Sequence, residues 1–275
     1  MQSRNPVFAR SDEFNGKGRT AQTDPSQWQI DLNGQGPGST HTVAGAGRMT
    51  IDTVVEKTAI TLGLLIAAAA VTWIATGDVT DANLGKIYGF AAGGAMLGLV
   101  LSLVNSFKKV VSPALVLAYA VVEGVFVGAF SKVIVAQFSP GDPSIVFGAV
   151  LGTLGAFGGT LAAYKYFDIQ VGDRFRKIVT ASMFGFVGVA LLDFVLSLFG
   201  ASFGFNGFGT LGLISSIIAV VIAVFMLIMD FDYVERGVAA GIPERESWRA
   251  AFGLTVTIVW LYIEMLRILA ILKDN

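Results

Sequence analysis

Six polar side chains stand in apolar surroundings and carry the potential chemistry of this chain: Glu123, Asp193, Asp230, Thr257, Glu264 and Arg267. Ionisable groups are expensive in a bilayer, so a membrane segment that keeps them turns them toward protein or water and uses them. Glu123 lies in AYAVVEGVFVGAF, ten residues into a helix that starts at Pro113. At ~1.5 Å per residue this is ~15 Å, near the midplane of a ~30 Å hydrocarbon core. No Lys or Arg lies within a helical turn of it, so its partner is a proton or comes from another helix. Asp193, in VALLDFVLSLFG, falls in the outer part of a fifth apolar run, where it faces a vestibule or reaches interfacial water. Asp230 closes a sixth run, with Asp232 and Glu235 just beyond. Asp232 and Arg236 have the i, i+4 spacing with the acid first, which suits a helix pair and marks Asp232 as structural. Glu264 and Arg267 are three apart and can pair along one face of a seventh run. Thr257 and Trp260 extend that face into a stripe directed at other helices. The acids thus occupy three depths: Asp230 inner, Glu123 middle, Glu264 and Asp193 outer. Hard cations prefer oxygen ligands, so such a series suits a cation or proton route. Glu123 and Asp230 are the candidate Ca²⁺ ligands.

The elements that hold these residues are membrane helices. The chain is 54% hydrophobic and 14% charged, with a mean hydropathy of +0.68. Soluble domains carry about 25% charged residues, so this is an integral membrane protein. A spanning helix needs about 20 apolar residues, and seven runs come close: 57–76, 84–104, 113–136, 144–167, 178–199, 209–229 and 250–272. The expected fold class is an all-α polytopic membrane protein with seven transmembrane helices. The charges in the last run leave six spans plus a half-inserted helix as an alternative. Residues 1–47 are rich in Gly, Ser, Gln, Thr and Asn and read as a disordered tail, with 48–275 as the transmembrane domain. NPVF at 5–8 and Trp28 are its candidate docking points for a membrane-protein partner. The first apolar run starts near residue 57, behind this polar stretch, so no cleavable signal peptide is expected. Fifteen Lys and Arg fall on the side of the N-terminus and three on the other, which places the N-terminus in the cytoplasm. Glycines recur within the second and fourth runs, where small residues let backbones approach. Cysteine is absent, which excludes disulfides and thiolate sites, and the one histidine, His41, lies in the tail. There is no HExxH, no GxSxG and no glycine-rich phosphate loop. The chain therefore reads as no enzyme, with no cofactor and no nucleic-acid partner. Ca²⁺ or H⁺ would be cargo, and the bilayer its surroundings.

Three stretches resemble the Bax inhibitor-1 family, also called YccA-like or transmembrane Bax inhibitor motif proteins. They are Glu123–Gly124, MDFDYVERG at 229–237 and WLYIEMLRIL at 260–269. The resemblance covers residues 48–272 and, with the tail and IMDFDYVERGVAAGIPE, is nearest the actinobacterial branch, which implies a bacterial plasma membrane. It implies six helices wrapped around a central C-terminal seventh. It also implies a pH-dependent calcium leak, or Ca²⁺/H⁺ exchange, gated by an aspartate pair linking the sixth and seventh spans. The first aspartate matches Asp230. The second position, counted back from Arg267, is Thr257, which cannot ionise. Either Asp230 hydrogen-bonds Thr257, or Glu264 serves as the second acid from two turns away. The family's third-span glutamate matches Glu123. Relatives are also associated with membrane quality-control proteases, so a non-transporting modulator of such a partner is the alternative function.

Overall fold

The computed structural model describes residues 47–167 and 169–274. The tail features NPVF, Trp28 and His41 lie outside the described residues. Seven helices follow in order: α1 (Ile51–Ala75), α2 (Asp81–Phe107), α3 (Pro113–Phe138), α4 (Ser144–Tyr166), α5 (Asp173–Leu198), α6 (Thr210–Ala239) and α7 (Ser247–Asp274). Each is long and apolar enough to cross a membrane. The 28 residues of α7 reach ~42 Å, long enough for a full crossing.

The helices outrun the apolar runs, chiefly at the end that carries most of the Lys and Arg, called here the basic end. There α1 and α5 begin several residues before their apolar runs, and α6 continues ten residues past Met229. Charged residues interrupt hydropathy without breaking a helix, and at this end Lys57, Arg176, Asp232 and Arg236 are paired with neighbours. Local signals set the limits instead. Thr50 caps α1, its Oγ1 accepting from the Thr53 amide at 3.1 Å while the Thr50 amide donates to Thr53 Oγ1 at 3.0 Å. Pro113 opens α3 at the position where a missing amide costs nothing. Gly241, at φ +61°, terminates α6 in the left-handed conformation that favours glycine.

The core sits around α7, the most buried of the seven. It packs against α1, α3, α4 and α6. Helix α2 lies behind α3, and α5 rests on α6, touching α7 where the Phe186 and Trp260 rings approach to 5.9 Å. The closest helix approach is between α3 and α1. A Cβ on Gly124 would strike the Leu65 carbonyl, and one on Gly128 would strike that of Ala69. The glycine stripes of α2 and α4 divide differently from expectation. Gly94, Gly98, Gly148 and Gly152 meet a neighbouring helix, whereas Gly85, Gly89, Gly93, Gly155, Gly158 and Gly159 have open space beside them. Recurrence alone did not distinguish a packed face from a lipid-facing one.

Candidate functional site

Asp230 is almost completely removed from water. The helix continues nine residues beyond it (230 to 239), ~14 Å, so it is interior rather than at a solvated helix end. It is 1% exposed, and Thr257 is 5% exposed. Thr257 Oγ1 donates to Asp230 Oδ2 at 2.7 Å and also lies 3.1 Å from the Gly253 carbonyl. This bond joins α7 to α6, the helix it meets most extensively. Of the two alternatives for the second position, the hydroxyl occupies it.

Glu264 is two turns further along α7, ~10 Å toward the opposite end. Its Oε2 lies 3.5 Å from Arg267 Nη1, as the i, i+3 spacing predicts, and Ser216 and Trp260 lie beside it. Arg267 is committed elsewhere as well. Its Nε and Nη2 donate to the Gly207 carbonyl at 3.1 and 2.8 Å, and Nη2 also donates to the Phe205 carbonyl. Asp193 works on the same loop from α5. One carboxylate oxygen accepts from the Phe203 and Gly204 amides at 2.8 and 3.2 Å, and the other from Asn206 at 2.8 Å. With three backbone donors and 2% exposure, Asp193 is satisfied by the α5–α6 loop. Glu264 also borders a lateral cleft of about 390 Å³ between α5 and α7, lined by Phe186, Phe194, Asn206 and Trp260.

Glu123 is half-buried at the contact of α3 with α2, its Oε2 lying over Gly98, where a Cβ would collide with it. Among the described residues it has no ion-pair partner. One turn earlier, the buried Tyr119 ring packs edge-on against Phe252 of α7, with centroids 5.1 Å apart. Glu123 therefore stands one side chain away from the central helix rather than against it. The site residues fall at three separate contacts: Asp230 with Thr257, Glu264 with Arg267, and Glu123 over Gly98. No three acids or histidines among the described residues gather closely enough to hold a metal ion together.

Several polar contacts escaped sequence reasoning; most join partners far apart in the chain, and one, Glu246 with Arg249, is local but was missed. Asp232 pairs with Arg236 at 3.0 Å as its spacing predicts, but also with Arg176 of α5 at 2.6 Å. Arg249 pairs with Glu246 at 2.7 Å, both 1% exposed, and donates to the Lys109 carbonyl at 2.8 Å. Lys57 reaches Glu244 at 2.7 Å, and Tyr164 donates to Glu235 at 2.6 Å. The basic end is thus tied across α1, the α2–α3 loop, α4, α5, α6, the α6–α7 connector and α7, and Asp230 lies just inside these ties.

A family model described as Bax inhibitor 1 like matches residues 5–274. No curated protein matches the chain.

Proposed function

The chain belongs to the Bax inhibitor 1 like family, and from that premise and its interior carboxylates we propose that it is a pH-sensitive cation pathway. The cargo of this reading is Ca²⁺, moved as a leak or in exchange for protons. The observation that supports it best is the Asp230–Thr257 bond, an acid held off from water at the main contact of the central helix. An ionised aspartate can only accept here, whereas a protonated one can donate. Gain of a proton therefore removes a charge from the α6–α7 contact and allows its bond to reverse, with the Thr257 hydrogen passing to the Gly253 carbonyl. Glu123 would offer its oxygens to the cation at mid-depth, one residue from α7 through Tyr119. The basic end would face the cytoplasm of a bacterium, following the excess of Lys and Arg there.

The test uses the full chain in proteoliposomes loaded with a calcium dye, at several external pH values. Glu123→Gln is expected to slow the initial influx about tenfold or more, the loss that follows from removing one charged ligand. Asp230→Asn is expected to keep the Thr257 bond and abolish the pH dependence. Absence of flux, or flux indifferent to both substitutions, refutes the proposal.

One observation favours a second reading, a membrane-protein partner recruited through the tail. The tail runs directly into Gly47–Met49, which pair with the α6–α7 connector: Glu244 N donates to the Gly47 carbonyl at 2.6 Å and Met49 N to that of Ile242 at 2.8 Å. Deletion of residues 1–46 would then abolish co-purification of the partner, and unchanged association would count against it.

A further inference from the structure

Opposite the basic end, the loops joining α1 to α2 and α3 to α4 border an open cavity of about 630 Å³. Its wall carries two opposite charges, Lys132 of α3 and Asp78 of the α1–α2 loop. They attract one another, yet no ion pair joins them among the described residues. Lys132 is 6% exposed and held in place. Its ammonium donates to the Trp73 carbonyl at 2.6 Å and to Thr76 Oγ1 at 3.0 Å, and lies 5.1 Å from the centroid of the Trp73 ring. A lysine has three donors, and these two hydrogen bonds leave one uncommitted. Asp78 is exposed, and no described side chain or amide donates to its carboxylate.

The lining is graded along the helix axis. Trp73, Ile74, Val135 and Ala136 form the side nearer the middle of the bundle, and Asp78 with Pro140 forms the loop side. Ile74 is 76% exposed, so a chain leaving the cavity there meets apolar outer surface. A simple anion would be attracted by Lys132 and repelled by Asp78, and a simple cation the reverse. The neighbouring acid Asp142 is already paired, 2.5 Å from Lys273, and adds little to either case.

We propose that this cavity binds the headgroup of a zwitterionic phospholipid, its phosphate on Lys132 and its ammonium on Asp78, with the acyl chains running along Ile74. The lipid comes from the leaflet on the side of the C-terminus. This holds whether or not the chain conducts ions. Lys132 also ties α3 to the end of α1, so Asp78, in an exposed loop, is the safer position to vary.

The full chain in detergent is mixed with equal amounts of phosphatidylethanolamine and phosphatidylglycerol, and bound lipid is read by native mass spectrometry. Phosphatidylethanolamine is expected in excess by about fivefold, what one solvent-exposed ion pair supplies. Asp78→Asn should remove that excess while Lys132→Arg keeps it. Equal uptake of the two lipids, or an excess unchanged in Asp78→Asn, overturns the proposal. Displacement of the bound lipid by soluble glycerophosphoethanolamine would overturn the lipid assignment in favour of a free zwitterion.

Discussion

Thr257 has one hydrogen to donate, and both the Asp230 carboxylate and the Gly253 carbonyl lie within its reach. Thr257→Val keeps the shape and removes the donor, leaving a buried carboxylate short of a partner. The expected cost is ~1–3 kcal/mol, read as a lower unfolding temperature in detergent. The exposed acid Asp142 gives a pH-dependent counterpart outside the membrane. The Lys273 ammonium, followed by the Ser144 amide and hydroxyl, holds its carboxyl well below the usual carboxylate range. Its folded value is depressed, so its stabilisation is present above the unfolded value of ~4 and fades as pH falls toward the folded one. Thermal melts of wild type and Asp142→Asn should therefore differ at neutral pH and converge in strong acid. The sequence was informative here only where partners are near in the chain. Glu264 with Arg267 and Asp232 with Arg236 follow from helical spacing. The amide cradle of Asp193 and the Arg176–Asp232 pair depend on loop closure and helix packing, which no local pattern encodes.

At the scale of the element, hydropathy located seven helices but misplaced several ends at the basic side, because it measures solvent preference rather than helix continuity. The case of α6 matters most, since its extra ten residues turn Asp230 from a terminal acid into an interior one. Glycine recurrence likewise pointed to α2 and α4, while the tightest approach is made by Gly124 and Gly128 of α3. Side-chain volume separates the two kinds of glycine experimentally. Gly124→Val should push α3 off the Leu65 carbonyl and cost ~1–3 kcal/mol or more through overpacking. Gly155→Ala meets open space and should leave the unfolding temperature within error or slightly higher.

For the whole molecule, the ties are uneven. Ion pairs and backbone carbonyls bind α1, the α2–α3 loop, α5, α6 and α7 together at the basic end, and residues 47–49 lie across the α6–α7 connector. Removing residues 1–49 takes away two backbone bonds and the buried Met49 side chain and should cost ~2–4 kcal/mol, again measured by unfolding in detergent. The hydroxyl at position 257 sets a further limit on how the molecule can respond to acid. Two carboxylates sharing a site release their protons in coupled steps, but a threonine never titrates. Any response routed through this junction therefore has the steepness of a single protonation, a Hill slope no greater than one. Thr257→Asp would add a second acid, and mutual repulsion should spread the response into two separated steps rather than steepen it.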